Sequence, residues 1–132
     1  MEPKVTFFLG ANSPSGFYSL YDQMLEGDTA QRIFLLKGGA GCGKSSLMKR
    51  TAKALEDVGE KVEYIRCSGD PDSLDAVKLP SLRTAYVDGT APHVMECVYP
   101  GAASLYLDLG CFYDAGRLEE RLGDIADLNR RY

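Results

Sequence analysis

The stretch FLLKGGAGCGKSSLMKR, Phe34 to Arg50, decides the reading of this chain. It joins a brief, nearly continuous apolar run, RIFLLK (Arg32–Lys37), to a segment in which Leu47, Met48, Thr51, Ala52, Leu55 and Val58 recur at spacings of three and four. The first pattern is that of a strand covered on both faces, and the second is the buried stripe of a helix that stops near Gly59. Between them lie Gly38, Gly39, Gly41 and Gly43, which would disrupt any regular element. A backbone this permissive at a strand-to-helix junction needs a purpose.

The spacing supplies one. Gly38, Gly39, Ala40, Gly41, Cys42, Gly43, Lys44 and Ser45 spell G-x-x-x-x-G-K-[ST], the Walker A or P-loop pattern, in the strand-to-helix setting that pattern requires. Residues lacking a Cβ let successive N–H groups converge on an anion, and the following helix offers the same anion its positive end. Lys44 is expected on the β- and γ-phosphates, Ser45 on Mg²⁺, and Ser46 within the same binding segment. Composition alone yields the fixed positions in roughly one chain of this length in two hundred. The flanking elements make a glycine loop of purely structural use the weaker alternative.

Outward from the loop, KVTFFLG reads as a strand, ANSPSG as a loop, and FYSLYDQMLE as an amphipathic helix with Phe17, Leu20, Tyr21, Met24 and Leu25 on one face. KVEYIRC alternates into a strand. SGDPDS is a turn whose Asp or Ser can cap a short helix, and LRTAYVDG is a strand ending at Asp88. SLYLDLG fits strand or helix. From Ala115 onward, Leu118, Leu122, Ile125, Leu128 and Tyr132 mark a terminal helix. The element order is that of an α/β domain with a parallel sheet.

A second carboxylate usually holds Mg²⁺ from a neighbouring strand tip, and Asp88 after TAYV fits that role. The alternative is an aspartate that caps a turn, since Asp-Gly is a common turn pair. Asp70 and Asp72 are the competitors for the metal. Gly89 stands where many ATPases carry a water-activating glutamate. His93, the single histidine, and Thr90 have either γ-phosphate-sensing or structural roles open to them. Cys42 reads first as a small residue tolerated in the loop, although a helix N-terminus favours its thiolate. Phe17/Tyr21 and Tyr106/Phe112 are expected in the core.

Composition narrows the classes. The 132 residues are 45% hydrophobic and 26% charged, as in folded globular domains. Nine basic and eight acidic residues precede Cys67, and six basic and eleven acidic residues follow from it, giving about +1 and −5. Neither half resembles a general nucleic-acid-binding surface. No apolar run reaches the ~20 residues of a membrane helix, and MEPKVTFFLG is too short in apolar residues for a signal peptide, so a cytoplasmic location without membrane contact is expected. Cys42, Cys67, Cys97 and Cys111 are too widely spaced for a zinc site and read as free thiols.

The segments GANSPSGFYSLYDQ, LKGGAGCGKSSLMKR, CSGDPDSLDAVKLPSLRTAYVDGTAPHV and YPGA together resemble a poorly characterised group of bacterial P-loop ATPase-like proteins, whose longer members carry two P-loop halves in tandem. DGTAPH and YPG are the more distinctive parts. The resemblance implies nucleotide binding and a P-loop NTPase-like three-layer sandwich with a mostly parallel sheet, and it supports Asp88 as the acidic position. Against that family's length, residues 1–132 are expected to be one nucleotide-binding domain truncated at its C-terminus, and the sequence pattern places four strands of an incomplete sheet: the N-terminal run, Arg32 to Lys37, Lys61 to Cys67 and Leu82 to Asp88. Such a chain is expected to self-associate or to need a protein partner. The expected activity is that of an ATPase that binds ATP and Mg²⁺ through Gly38–Ser46, with Lys44 and Asp88 as its catalytic groups. A small-molecule or nucleoside kinase and a non-catalytic nucleotide-binding module are the alternatives. Arg83 is the sole arginine between Cys67 and Gly116, which counts against an arginine-bearing lid in this stretch.

Overall fold

The computed structural model describes residues 4–20, 32–39, 41–90, 94–97 and 99–131. Among them a six-stranded mixed sheet is built from β1 (Val5–Phe7), β4 (Arg32–Lys37), β5 (Glu63–Arg66), β6 (Leu74–Leu79), β7 (Thr84–Asp88) and β8 (Ser104–Asp108). A separate antiparallel hairpin pairs β2 (Gly10–Ser13) with β3 (Gly16–Ser19). Three α-helices are described: α1 (Lys44–Asp57), α2 (Ala115–Glu120) and α3 (Leu122–Arg131). The chain is α/β and its sheet is mostly parallel.

Strand order is β1-β5-β6-β7-β4-β8. Only β6 is reversed, pairing antiparallel with both β5 and β7, so the other five strands share one direction. β4 lies between β7 and β8, with Leu36 opposite Asp88 and Lys37 opposite Asp108. The chain leaving β4 therefore emerges between two aspartates at the C-terminal ends of its neighbours.

Alternation along β4 explains its apolar run. Ile33 and Leu35 face one side, where Ile65, Ala76, Ala85 and Val87 complete a buried cluster closed by Met95 and flanked by Phe7, Leu9 and Cys97. Leu36 faces the other side, where Met48 and Ala52 of α1 pack over Val77, Leu74 and Leu79. Met48 and Ala52 are fully buried one turn apart, and burying a methionine side chain contributes roughly 2 kcal/mol. Gly59 (φ 89°) ends α1 as expected: its N–H donates to Glu56 O at 2.9 Å and that of Glu60 to Leu55 O at 3.0 Å.

Several sequence expectations need correction. Gly16–Ser19 is a strand, not the start of a helix, and the rest of that expected helix lies outside the described residues. Gly10 has no Cβ, and the Phe17 ring lies across it from the partner strand, so the hairpin places Phe17 by a cross-strand contact that helical spacing imitates. The short helix expected after SGDPDS is absent; LDAVKL instead forms β6, buried on both faces in the middle of the sheet. SLYLD is a strand, and with β6 it raises the sheet from the expected four strands to six. The terminal helix is broken at Arg121 (ψ 12°) into α2 and α3, and none of its described residues is buried. Tyr106 and Phe112 are exposed, and Phe17 is 37% exposed, so these aromatics are not core. Tyr21 lies outside the described residues. No described helix is long and apolar enough to cross a membrane.

Candidate functional site

The glycine loop takes its shape from three left-handed residues. Gly38 (φ 154°), Gly41 (φ 77°) and Gly43 (φ 99°) occupy conformations that side chains disfavour, and Gly43 is the residue from which α1 starts. The first intrahelical bond, Leu47 N–H to Gly43 O at 2.9 Å, leaves the N–H groups of Lys44, Ser45 and Ser46 without helical partners at the positive end of the helix. That end attracts anions. Close packing constrains the loop further. A Cβ on Gly38 would stand 2.6 Å from Cys42 Sγ, and one on Gly39 would stand 2.8 Å from Tyr113 Oη.

Lys44 is 8% exposed, and its ammonium is held inside this loop. Nζ donates to Gly38 O at 2.8 Å and Gly39 O at 3.0 Å, approaches Cys42 Sγ at 3.7 Å, and lies 3.9 Å from Asp88 Oδ2. The other Asp88 oxygen accepts from Thr90 N at 3.0 Å and from the Thr90 hydroxyl at 2.5 Å. Asp88 thus caps the turn at Thr90, as one of its two sequence readings has it, and is also the counter-charge of Lys44. The Ser45 hydroxyl oxygen accepts from Leu74 N–H at 3.0 Å, tying α1 to the start of β6.

Lys44, Ser45 and Asp88 line an open cavity of about 400 Å³ with Gly41, Gly43, Ser46, Asp70 and Ser73. Of the two competitors for a metal, Asp70 reaches this lining and Asp72 does not; Asp72 N–H donates to Asp70 Oδ1 at 3.2 Å within the turn. Among the described residues no three His, Cys, Asp or Glu side chains cluster as a self-sufficient metal site. A cation here would draw on the Ser45 hydroxyl, a carboxylate and oxygens supplied by a ligand and water, which is the habit of Mg²⁺. Ala40 and His93 lie outside the described residues. All four cysteines are free.

Two residues around the loop escaped the sequence reading. Lys37, at the end of β4, donates to Gly89 O at 2.9 Å, Met95 O at 2.7 Å and Glu96 Oε1 at 3.3 Å, so it fastens the segment after Asp88 to the central strand. Glu96 is held below the usual carboxylate range, first by the Tyr106 hydroxyl and then by Lys37. Tyr113, beyond β8, covers Gly39. Desolvation pushes its phenol up, and its contact with the Cys42 thiol pushes it further. Before Tyr113, Asp108 Oδ1 accepts from Gly110 N at 2.8 Å and caps the 3₁₀ turn Leu109–Phe112 that delivers the ring. A lysine ending a buried strand was a weak local signal for the first; the second has none.

Compared with known proteins, the chain matches the family model described as Nephrocystin 3, N-terminal, over residues 18–82. That span contains β4, the glycine loop, α1, β5 and β6, and therefore Lys44, Ser45, Asp70 and Ser73; it stops short of Asp88. No curated protein and no solved structure matches the chain.

Proposed function

We propose that the chain is an ATP-binding P-loop protein that couples nucleotide binding, with slow hydrolysis, to a conformational change or a partner contact. One observation carries this reading: two left-handed glycines, Gly41 and Gly43, the start of α1, Lys44, Ser45 and Asp88 converge on a single cavity of about 400 Å³. A triphosphate entering it would replace the carbonyl oxygens of Gly38 and Gly39 as partners of the Lys44 ammonium and would receive the open N–H groups of the first helical turn. Mg²⁺ would be shared by Ser45, the phosphates and, through water, Asp88, where it would offset charge developing on the transferred phosphoryl group. Membership of the bacterial P-loop ATPase-like group is part of the same proposal, and the motif segments quoted above support it.

The Asp70 carboxylate supports a second reading as a small-molecule kinase. It enters the cavity from the β5–β6 turn and could accept a proton from an acceptor hydroxyl, a role that Gly89 cannot fill. Calorimetric titration with Mg-ATP tests the shared premise. Affinity should fall at least tenfold, about 1.4 kcal/mol, in Lys44→Ala, since alanine preserves the helix while removing the charge. Unchanged affinity in a folded Lys44→Ala protein would refute the cradle. Phosphate release measured against phosphorylation of added hydroxyl acceptors then separates the two readings.

A further inference from the structure

A second cavity, of about 300 Å³, lies on the other side of the β5–β6 turn, between α1 and the β1 edge of the sheet. Helical spacing puts Lys49, Lys53 and Glu56 on the same face of α1, and strand alternation puts Tyr64 and Arg66 on the same face of β5, with Thr6 paired beside Tyr64. Lys4 completes the charged lining. Four cations thus meet one carboxylate, in a chain whose net charge is −4.

That carboxylate is already committed. Glu56 pairs with Lys4 at 3.2 Å through one oxygen and accepts the Tyr64 hydroxyl at 2.8 Å through the other. Lys53 is partnered by Asp57 one turn along α1. Lys49 and Arg66 have no carboxylate partner among the described residues: Lys49 Nζ donates to Asp72 O and Arg66 Nη1 to Pro71 O, each at 2.6 Å. Neutral carbonyl dipoles leave both charges uncompensated, and an ammonium beside a guanidinium is a favourable setting for a phosphate. The Tyr64 ring, with the Lys4 ammonium 5.4 Å from its centroid, and Leu74 add an apolar wall.

We infer that this cavity binds a small phosphorylated molecule, its phosphate on Lys49 and Arg66 and its organic part against Tyr64 and Leu74. The volume sits at the lower end of small-ligand pockets, enough for a phosphate with one ring. A polynucleotide fits less well, because the cations are gathered in one concave site and the chain around it is acidic overall. Binding here does not depend on the nucleotide reading of the first cavity. The two sites do share a wall: Lys49 and Arg66 grip the carbonyls of Pro71 and Asp72, whose neighbours Asp70 and Ser73 line the glycine-loop cavity.

The test is a titration of the ¹⁵N-labelled chain with phenyl phosphate, with phenol and inorganic phosphate as controls, followed by amide chemical shifts. Phenyl phosphate should move Thr6, Tyr64, Arg66 and Leu74 saturably, with accompanying shifts at Asp70 and Ser73. It should do so equally in Lys44→Ala, and phenol should not. Affinity should fall at least tenfold in Lys49→Gln, an exposed position on α1 that tolerates glutamine, and again in Arg66→Gln. Shifts confined to residues 38–46 and lost in Lys44→Ala would overturn the inference, because the anion would then be using the glycine loop alone. Unchanged affinity in folded Lys49→Gln and Arg66→Gln proteins, or shifts that spread over all exposed lysines without saturating, would overturn it equally.

Discussion

Gly39→Ala isolates the contact that closes the glycine loop. Gly39, unlike Gly38, Gly41 and Gly43, has no positive φ, so its backbone accepts a side chain; the obstacle is Tyr113 Oη, 2.8 Å from where the Cβ would sit. The next nearest atom is Cζ of the same ring at 3.7 Å, an ordinary van der Waals distance. The ring must therefore retreat by roughly half an ångström, and since Tyr113 is 38% exposed it can swing outward. The cost falls at the low end for overpacking, about 1 kcal/mol, which lowers the melting temperature by roughly 3–5 °C in a domain of this size. Tyr113→Phe alone should cost about 0.5 kcal/mol through the lost contact with the Cys42 thiol. In the double variant the new methyl meets only ring carbon, so the pair should be nearly as stable as Tyr113→Phe by itself. Thermal unfolding by circular dichroism of the four proteins measures this coupling of about 1 kcal/mol. Gly41→Ala is the control. Its Cβ meets nothing within 4 Å, its penalty of roughly 1–2 kcal/mol is pure left-handed backbone strain at φ 77°, and Tyr113→Phe should not relieve it. If Gly39→Ala and Tyr113→Phe prove additive, Tyr113 does not lie on the loop and the reasoning fails.

Asp88→Asn keeps the Thr90 cap but removes the counter-charge of Lys44; ATP binding should become less dependent on Mg²⁺ while metal-free binding persists, as titrations with and without the cation would show. Loss of that dependence in Asp70→Asn instead would move the metal role across the cavity. Alkylation of Cys42, followed by mass spectrometry, should slow under saturating Mg-ATP, since its sulfur lies 3.7 Å from the Lys44 ammonium; equal rates would show that the thiol faces away from the ligand. Tyr64 is pushed up to about 12, by burial first and then by its bond to Glu56. A folded-state value above the unfolded value of about 10 means that its contribution to stability is complete below pH 10 and lost as pH rises through 12. Urea unfolding between pH 9 and 12 should show a loss that Tyr64→Phe lacks; an identical slope in both proteins would contradict it.

Local pattern and tertiary contact divide what the chain disclosed in advance. RIFLLK, the glycine spacing, the stripe from Leu47 to Leu55 and the stop at Gly59 were readable, because each is a one-dimensional signal tied to a single element; Val58, expected on the same stripe, instead lies past the end of α1 and is 75% exposed. Asp88 was readable for the same reason, as an acid ending an apolar strand. Phe17 and Leu20 misled because a spacing of three suits a helix face as well as a hairpin whose aromatic leans over Gly10. β6 was hidden behind Asp70, Asp72 and Ser73, which look like helix caps but instead turn the chain back between β5 and β7. Lys37 and Tyr113 act across 52 and 74 residues, on Gly89 and Gly39; the end of a buried strand signalled the first only weakly, and no window of sequence carries the second.

The place of β4 in the sheet also sets a timetable for synthesis. Both its neighbours, β7 and β8, come later in the chain, the second ending at Asp108. A ribosome adding about 5–20 residues per second needs on the order of 4–14 s to go from Lys37 to Asp108. Until Asp88 is added this apolar strand has neither ladder partner, and until Asp108 it lacks the second, while α1 can already coil and offer Met48 and Ala52 as temporary cover for Leu36. The nascent chain is therefore most exposed to aggregation before β7 emerges, and slower translation across residues 38–84 prolongs that exposure.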